Sequence, residues 1–252
     1  MTKRGDDGDC VQPCGSLIEE KGPAAIRSVS YWNEYAPWYR LWLDHTDYHH
    51  GIKDLLAGIV RPGWRVLDIG GGSGVLAIPL MRSGCRVTVV EPSEVMRAYL
   101  RTEMVRADVE EDRIITLPWE EVPVKEILGF DLALASNSLH LTRIGAFPSL
   151  MRILAARPAE VLVVSELEIP FDPDGNGAAP YGIGGSGSFQ AESSFRYHSV
   201  EEALRHLDLK ERHGQSHPSR PDFIKSLMFE NGHYIHKRWT TVHWFRLTLA
   251  AA

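Results

Sequence analysis

The sequence predicts an α/β fold built on a doubly wound, mostly parallel sheet, and three observations predict it. Short apolar runs alternate with helix-length stretches from Trp64 to Ile169. Within the runs, neighbouring positions are apolar, which marks strands covered on both faces rather than one. The first run, WRVLDIG, ends in an acid and opens into a turn crowded with glycine. Such turns sit at the carboxyl edge of parallel sheets, where ligands bind.

The elements follow in order. Residues 1–24 are polar and aperiodic, scattered with Gly, Asp and Pro, and read as a flexible tail. Residues 25–62 form a helical cap. Tyr31, Trp32, Tyr35, Trp38, Tyr39, Trp42 and Tyr48 fall there at helical spacing, in two or three short pieces with Pro37 opening one and Pro62-Gly63 closing the region. Residues 63–169 are the α/β core. WRVLDIG is its first strand, and residues 74–83 are a helix weakened by Pro79. CRVTVVE is the second strand, and SEVMRAYLRTEMVRAD is a helix that Ser93 is placed to cap. RIITL and FDLALAS are the third and fourth strands, IGAFPSLMRILAAR is a helix, and EVLVVSELEI is the fifth strand. Residues 170–198 are rich in Gly, Pro, Asp and Ser and read as an insertion loop, with GIGGSGS its flexible centre. Residues 199–252 supply a helix (SVEEALRHL), a strand-like piece (LKERHGQS), a short helix (PDFIKSLMF) and an alternating strand, TTVHWFRLTLA. No internal repeat stands out, so residues 25–252 read as one domain.

The bulk numbers narrow the function. The chain has 252 residues, 44% hydrophobic and 24% charged, with a formal net charge of −6. No block of Lys and Arg offers itself to phosphates, so nucleic acid is not the expected partner. No apolar run is long enough for a membrane span, and the first residues lack an apolar leader, so the expected location is cytoplasmic. Oligomeric state leaves no mark. The three cysteines, Cys10, Cys14 and Cys85, are too few and too scattered for a disulfide framework. Eleven histidines include the pairs His45/His49, His213/His217 and His233/His236, but no metal-binding motif surrounds them, and no metal is expected.

The glycine turn carries the chemistry. Asp68, Gly70, Gly72 and Gly74 lead straight into a helix. Glycine reaches positive φ and lets a ligand approach the backbone, and the helix start offers free N–H groups. A phosphate loop is excluded because no Gly-Lys-Ser/Thr follows. A dinucleotide loop fits Gly72-x-Gly74-x-x-Ala77 loosely and leaves Asp68 without a role.

Asp68-x-Gly70-x-Gly72-x-Gly74 resembles the first motif of the class I, Rossmann-like S-adenosylmethionine-dependent methyltransferases. The likeness covers roughly residues 30–170. Glu91 in VTVVEPS matches the acid that ends strand two and takes the ribose hydroxyls, a task suited to a carboxylate's several acceptor sites. IITLPWEEV matches the segment beside the adenine, with Trp119 against the purine; Pro118 stands where the family has Asp, leaving Glu120 or Glu121 to contact the amino group. FDLALASNSLHLT matches the fourth strand and its loop, and YWNEYAPWYRLW the cap helix, with Tyr39 near the cofactor. The resemblance implies a seven-stranded sheet with its last strand antiparallel, absorbing residues 209–250. It implies S-adenosyl-L-methionine as cofactor, held by Tyr39, Asp68, Gly70, Gly71, Gly72, Gly74, Glu91, Pro92, Met96, Trp119, Glu120, Ser136 and Asn137. His140 is the expected base and Asn137 the expected acceptor-positioning group, with Tyr31, Tyr35 and His140 lining the acceptor site. The Asn-Pro-Pro-Tyr motif of nucleic-acid amino-methylating enzymes is replaced by Ser136-Asn137-Ser138-Leu139. The expected activity is therefore methyl transfer to a small-molecule acceptor. An NAD(P)-dependent oxidoreductase and a non-catalytic cofactor-binding protein are the alternatives.

Overall fold

The computed structural model describes residues 28–167 and 180–250. The expected tail, with Cys10 and Cys14, and residues 170–179 of the expected insertion lie outside the described residues. Two helices open the fold, α1 (Val29–Leu43) and α2 (His50–Ile59). The core then alternates β1 (Arg65–Ile69), α3 (Ala77–Arg82), β2 (Arg86–Val90), α4 (Glu94–Ala107), β3 (Arg113–Ile115), β4 (Leu132–Ser136), α5 (Ala146–Ala155) and β5 (Glu160–Ser165). The remainder is β6 (Tyr181–Glu192), β7 (Phe195–Tyr197), α6 (Val200–Arg212), α7 (Arg220–Ser226), β8 (Leu227–Glu230), β9 (His233–His236) and β10 (Trp239–Leu249).

The main sheet has seven strands in the order β3-β2-β1-β4-β5-β10-β6, with only β10 running against the rest. This is the doubly wound architecture the alternation predicts. Strand side chains alternate between two apolar layers. Val66, Val87, Val89, Leu132, Leu134, Leu162 and Val164 pack with α1, α2 and α4 on one side. Leu67, Ile69, Val90, Ala133, Ala135, Val161 and Val163 pack with α5 and Trp119 on the other. Both layers lie on the parallel strands, so the strands show no polar face.

Capping explains the helix starts. Ser93 Oγ accepts from the Met96 N–H at 3.2 Å, as the sequence predicts, and Ser28 Oγ accepts from the Tyr31 N–H at 3.1 Å. Four expectations are corrected. The cap is not broken at Pro37: α1 runs through it, and Pro37 removes only the bond its own N–H would have made. Residues 181–192 of the expected insertion are not a loop but strand β6, paired along the whole of β10. The glycines are what permit it, since a side chain at Gly187 would come within 3.1 Å of the Trp244 ring on β10. The strand-like reading of residues 209–216 is replaced by the last turn of α6 and the coil after it. There Ser199 caps the start, Glu201 and Glu202 fill the first turn, and Lys210 and Arg212 fill the last, each complementing the helix dipole. Residues 209–250 therefore do not all join the main sheet. Two strands among them, β8 and β9, join β7 in a separate antiparallel sheet, β7-β9-β8, that the sequence did not announce.

Candidate active site

A cavity of about 1070 Å³ opens at the carboxyl edge of the parallel strands, roofed by α1. Its floor at one end is the glycine turn. Gly70, Gly72 and Gly74 have φ of +72°, +56° and +86°, a region open to glycine at little cost. A Cβ on Gly74 would sit 2.4 Å from Leu100 Cδ1, so that glycine is needed for packing. A Cβ on Gly72 would meet nothing nearer than Tyr39 Cε1 at 3.9 Å, so that glycine is bare toward open space. The two positions separate a structural glycine from one that leaves room for a ligand.

Glu91 ends β2 and reaches into this floor. Its Oε2 accepts from the Gly72 N–H at 2.9 Å and its Oε1 from the Ser93 N–H at 2.8 Å. Each oxygen keeps a further lone pair toward the cavity. Burial raises the Glu91 pKa, while the two N–H groups and Arg97 oppose the rise. Asp68 is more isolated: its Oδ2 is buried with no hydrogen-bond partner. Burial, with the Glu91 charge behind it, pushes Asp68 up to about 7. The Tyr39 hydroxyl, over the same floor, is held far above its ordinary range by burial and then by these two carboxylates. Glu91 and the bare Gly72, with the buried Asp68 behind them, form a floor suited to a ligand that brings hydroxyl donors and positive charge.

Trp119 begins a short 3-10 turn, Trp119–Glu121, on the flank of this floor. Its ring lines the cavity, and its Nε1 is buried without a partner. The Arg152 guanidinium stacks 5.3 Å from its centroid. Glu120 and Glu121 both pair with Arg143, so Glu120 stands at the cavity with its carboxylate engaged.

The other end of the cavity is built around Asn137. It sits at φ +51°, just past β4. Its Nδ2 donates to the Tyr48 hydroxyl at 2.5 Å, and its Oδ1 accepts from the Glu166 N–H at 2.8 Å. The Tyr48 hydroxyl in turn bonds the Glu166 carboxylate. Asn137, Tyr48 and Glu166 thus close a ring that ties β4 and β5 to the α1–α2 connection. His140 stands beside it on the 3-10 turn Leu139–Leu141 and lines the cavity.

Of the residues expected from the sequence, Tyr35, Tyr39, Gly70, Gly72, Glu91, Pro92, Met96, Trp119, Glu120, Ser136, Asn137 and His140 line this one cavity. Asp68, Gly71 and Gly74 do not line it; they pack behind the turn, where Asp68 Oδ2 would lie 2.8 Å from a Cβ on Gly71. Tyr31 does not line it either. It is buried, stacked on Tyr35 at 5.3 Å and edge-on to His213 at 5.0 Å, because its ring is covered by the end of α6. Sequence reasoning missed Glu166, Ser193, Phe195 and Arg238, all of which line the cavity. Glu166 was detectable as the acid just beyond strand five, at the edge where parallel sheets bind ligands. The histidine pairs disperse: His49 is buried beside Trp42 and Tyr48, while the His45 ring meets that of His233. Among the described residues, no group of three or more His, Cys, Asp or Glu could hold a metal ion. No helix among them is long and apolar enough to cross a membrane.

Comparison with known proteins bears on the fold and on one segment of the chain. Residues 66–157 match the family model described as a methyltransferase domain. The chain is 34% identical over 110 residues to a ubiquinone biosynthesis O-methyltransferase of Rhodopseudomonas palustris, covering 42% of this chain and 40% of that protein. It is 38% identical over 109 residues to the protein of the same name from a Bradyrhizobium species, with the same shares covered. The match therefore spans well under half the length of these relatives. The magnesium protoporphyrin IX methyltransferase of Synechocystis, solved with S-adenosylmethionine bound, superposes with a TM-score of 0.56 at 14% identity, over 92% of this chain and all of its own. The YcgJ protein of Bacillus subtilis superposes with a TM-score of 0.52, also at 14% identity, over 81% of this chain and all of its own. The matched segment, residues 66–157, is thus similar to a methyltransferase domain, and the fold is that of the magnesium protoporphyrin IX methyltransferase.

Proposed function

We propose that the protein transfers a methyl group from S-adenosyl-L-methionine to a small-molecule acceptor by in-line displacement. The observation that carries the reading is the floor at Gly72: a bare, left-handed glycine whose N–H is held by Glu91, with the unpartnered Asp68 behind it. The donor set fits the cofactor, whose ribose brings two hydroxyls and whose methionine end brings positive charge. When bound, the cofactor supplies an activated methyl group, so the protein's share is placement and proton handling.

Glu91 receives the ribose hydroxyls on its spare lone pairs, and Tyr39 covers the turn. Trp119 offers its ring face and its unpartnered Nε1 to the purine end. Glu120, engaged by Arg143, shapes that end of the site. Asn137 has its amide committed to Tyr48 and Glu166, so it acts by fixing the loop that carries His140. His140 takes the acceptor proton. The cavity of about 1070 Å³ is at the top of the roughly 300–1,000 Å³ usual for a single small ligand, which supports room for cofactor and acceptor together. The two relatives named as O-methyltransferases support an oxygen acceptor.

The test is ligand-dependent thermal unfolding. S-adenosylhomocysteine is expected to raise the melting temperature and NAD to leave it unchanged. A rise with NAD alone overturns the reading in favour of an oxidoreductase. Binding of the nucleoside with no turnover on any acceptor would leave a non-catalytic cofactor-binding protein.

A further inference from the structure

The cavity has a second end that the cofactor floor does not use. In the order β1-β4-β5-β10, the start of β10 lies three strand steps from β1, about 14 Å at roughly 4.8 Å per step. Arg238 stands there, immediately before β10, and lines the cavity. Its backbone is clamped on both sides: the N–H donates to Ser194 Oγ at 3.0 Å and the carbonyl accepts from the Ser193 N–H at 2.8 Å. Its Nη2 donates to Glu166 Oε2 at 3.2 Å, an oxygen that Thr240 Oγ1 also approaches at 3.3 Å. A guanidinium has five N–H donors in a planar fork, and Glu166 engages one nitrogen of it.

The charge at this end does not balance. Lys210 lies against the Phe195 ring, with its Nζ 5.7 Å from the centroid, and no described carboxylate is within ion-pair distance of it. Burial first, and Arg238 second, draw its ammonium down to about 8. His236 is lowered by burial and then by Lys210 and Arg238. His206 is pushed down to about 2 by burial, then by Lys210 and His236. Arg238 and Glu166 line the cavity together with the flat rings of Trp32, Tyr35 and Phe195, while Lys210 lies against Phe195 and does not line it. The Arg238 side chain is 54% exposed and spends one nitrogen on Glu166, so its remaining N–H groups can donate to an arriving anion. Aromatic walls favour a planar ring between them.

We propose that this end is the acceptor subsite, and that the acceptor is a planar aromatic carboxylate, its carboxylate on the Arg238 fork and its ring against Phe195, Tyr35 and Trp32. The proposal rests on the methyltransferase reading and names the acceptor class that reading leaves open. Arg238 is a specificity-determining residue, and Glu166 holds its guanidinium at the cavity wall.

The test is calorimetric titration of the full chain saturated with S-adenosylhomocysteine, using 3,4-dihydroxybenzoate and its uncharged carboxamide as matched probes. The acid is expected to bind at least about 10-fold more tightly than the amide, the range a charge-assisted bidentate contact supplies. Arg238→Met should bring the acid to the amide's affinity and leave the amide and S-adenosylhomocysteine affinities unchanged. Arg238→Lys, which keeps the charge and loses the fork, should retain part of the preference. Glu166→Gln should tighten the acid by a few fold. Equal affinities for the two probes, binding of neither to the saturated protein, or an acid preference that survives Arg238→Met would each overturn the proposal. Failure of wild-type protein to bind S-adenosylhomocysteine would instead overturn the methyltransferase reading, and the two failures are therefore separable.

Discussion

The two ends of the cavity are built in different ways. The end proposed for the cofactor draws Gly70, Gly72, Glu91, Pro92 and Met96, with Asp68 packed behind them, from one βαβα stretch of 32 residues, 65–96, joined by parallel pairing of β1 with β2. The end proposed for the acceptor draws Trp32 and Tyr35 from α1, His140 from after β4, Glu166 from after β5, and Ser193, Phe195 and Arg238 from the β6–β10 region. One end is local in sequence, and the other exists only once distant strands have paired. The difference teaches that handling of a shared cofactor can be fixed by the core of the fold, whereas acceptor choice is left to late-pairing, variable segments around it.

Four substitutions would break or sharpen this contrast. The largest effect is expected at the junction of the two ends. His140→Ala should lower kcat by about 10²–10⁴-fold while S-adenosylhomocysteine affinity stays within error; equal loss of both would move His140 into the cofactor floor. Next come the two glycines. Gly74→Ala meets Leu100 at 2.4 Å and a left-handed φ, so urea unfolding should show a loss of about 3 kcal/mol. Gly72→Ala has space for its methyl group, so its stability cost should be only about 1 kcal/mol while cofactor affinity collapses. Asn137→Ala should cost about 2 kcal/mol, because it orphans the Glu166 N–H and leaves the Tyr48 hydroxyl a partner short. It should slow turnover with little change in cofactor affinity.

The last effect is a slope with pH. Burial, then the Glu91 charge, raise the Asp68 carboxyl to about 7, so the folded protein holds a proton that the unfolded chain releases near about pH 4. The stability this contributes is full below about pH 4 and is lost as pH rises through about 7. Buried neutral His49 and His206, with pKa values drawn down to about 3 and about 2, act oppositely and lose stability as pH falls below about 6.5. Asp68→Asn isolates the first contribution: the variant should gain on wild type steadily between about pH 4 and 7 in denaturant titrations. A constant difference across that window would mean that Asp68 is not protonated when folded.

What could be read in the sequence follows the same division. The alternation of apolar runs and helices from Trp64 to Ser165 is local, and β1 to β5 with their helices stand where it puts them. Ser93 as a cap and Glu91 at the end of strand two are short-range patterns of the same kind. β6 was illegible because its glycines carry no strand preference; the pairing comes from the eleven-residue β10, whose far edge needs a partner. Tyr31 and Tyr35 stand one helical turn apart on the same face of α1, yet only Tyr35 lines the cavity, because Tyr31 is covered by His213, a long-range contact with no local signal. Arg238 and Phe195 carry no motif, and their place at the site depends on the antiparallel entry of β10.

The central claim is that Glu91 and the Gly72 turn form the cofactor floor, and calorimetric titration of S-adenosylhomocysteine onto wild type and Glu91→Gln tests it most directly. The amide loses the charged acceptor for the ribose hydroxyls, so affinity should fall by roughly 10–100-fold while the far-ultraviolet dichroism is retained. Unchanged affinity in a folded Glu91→Gln protein would contradict the account.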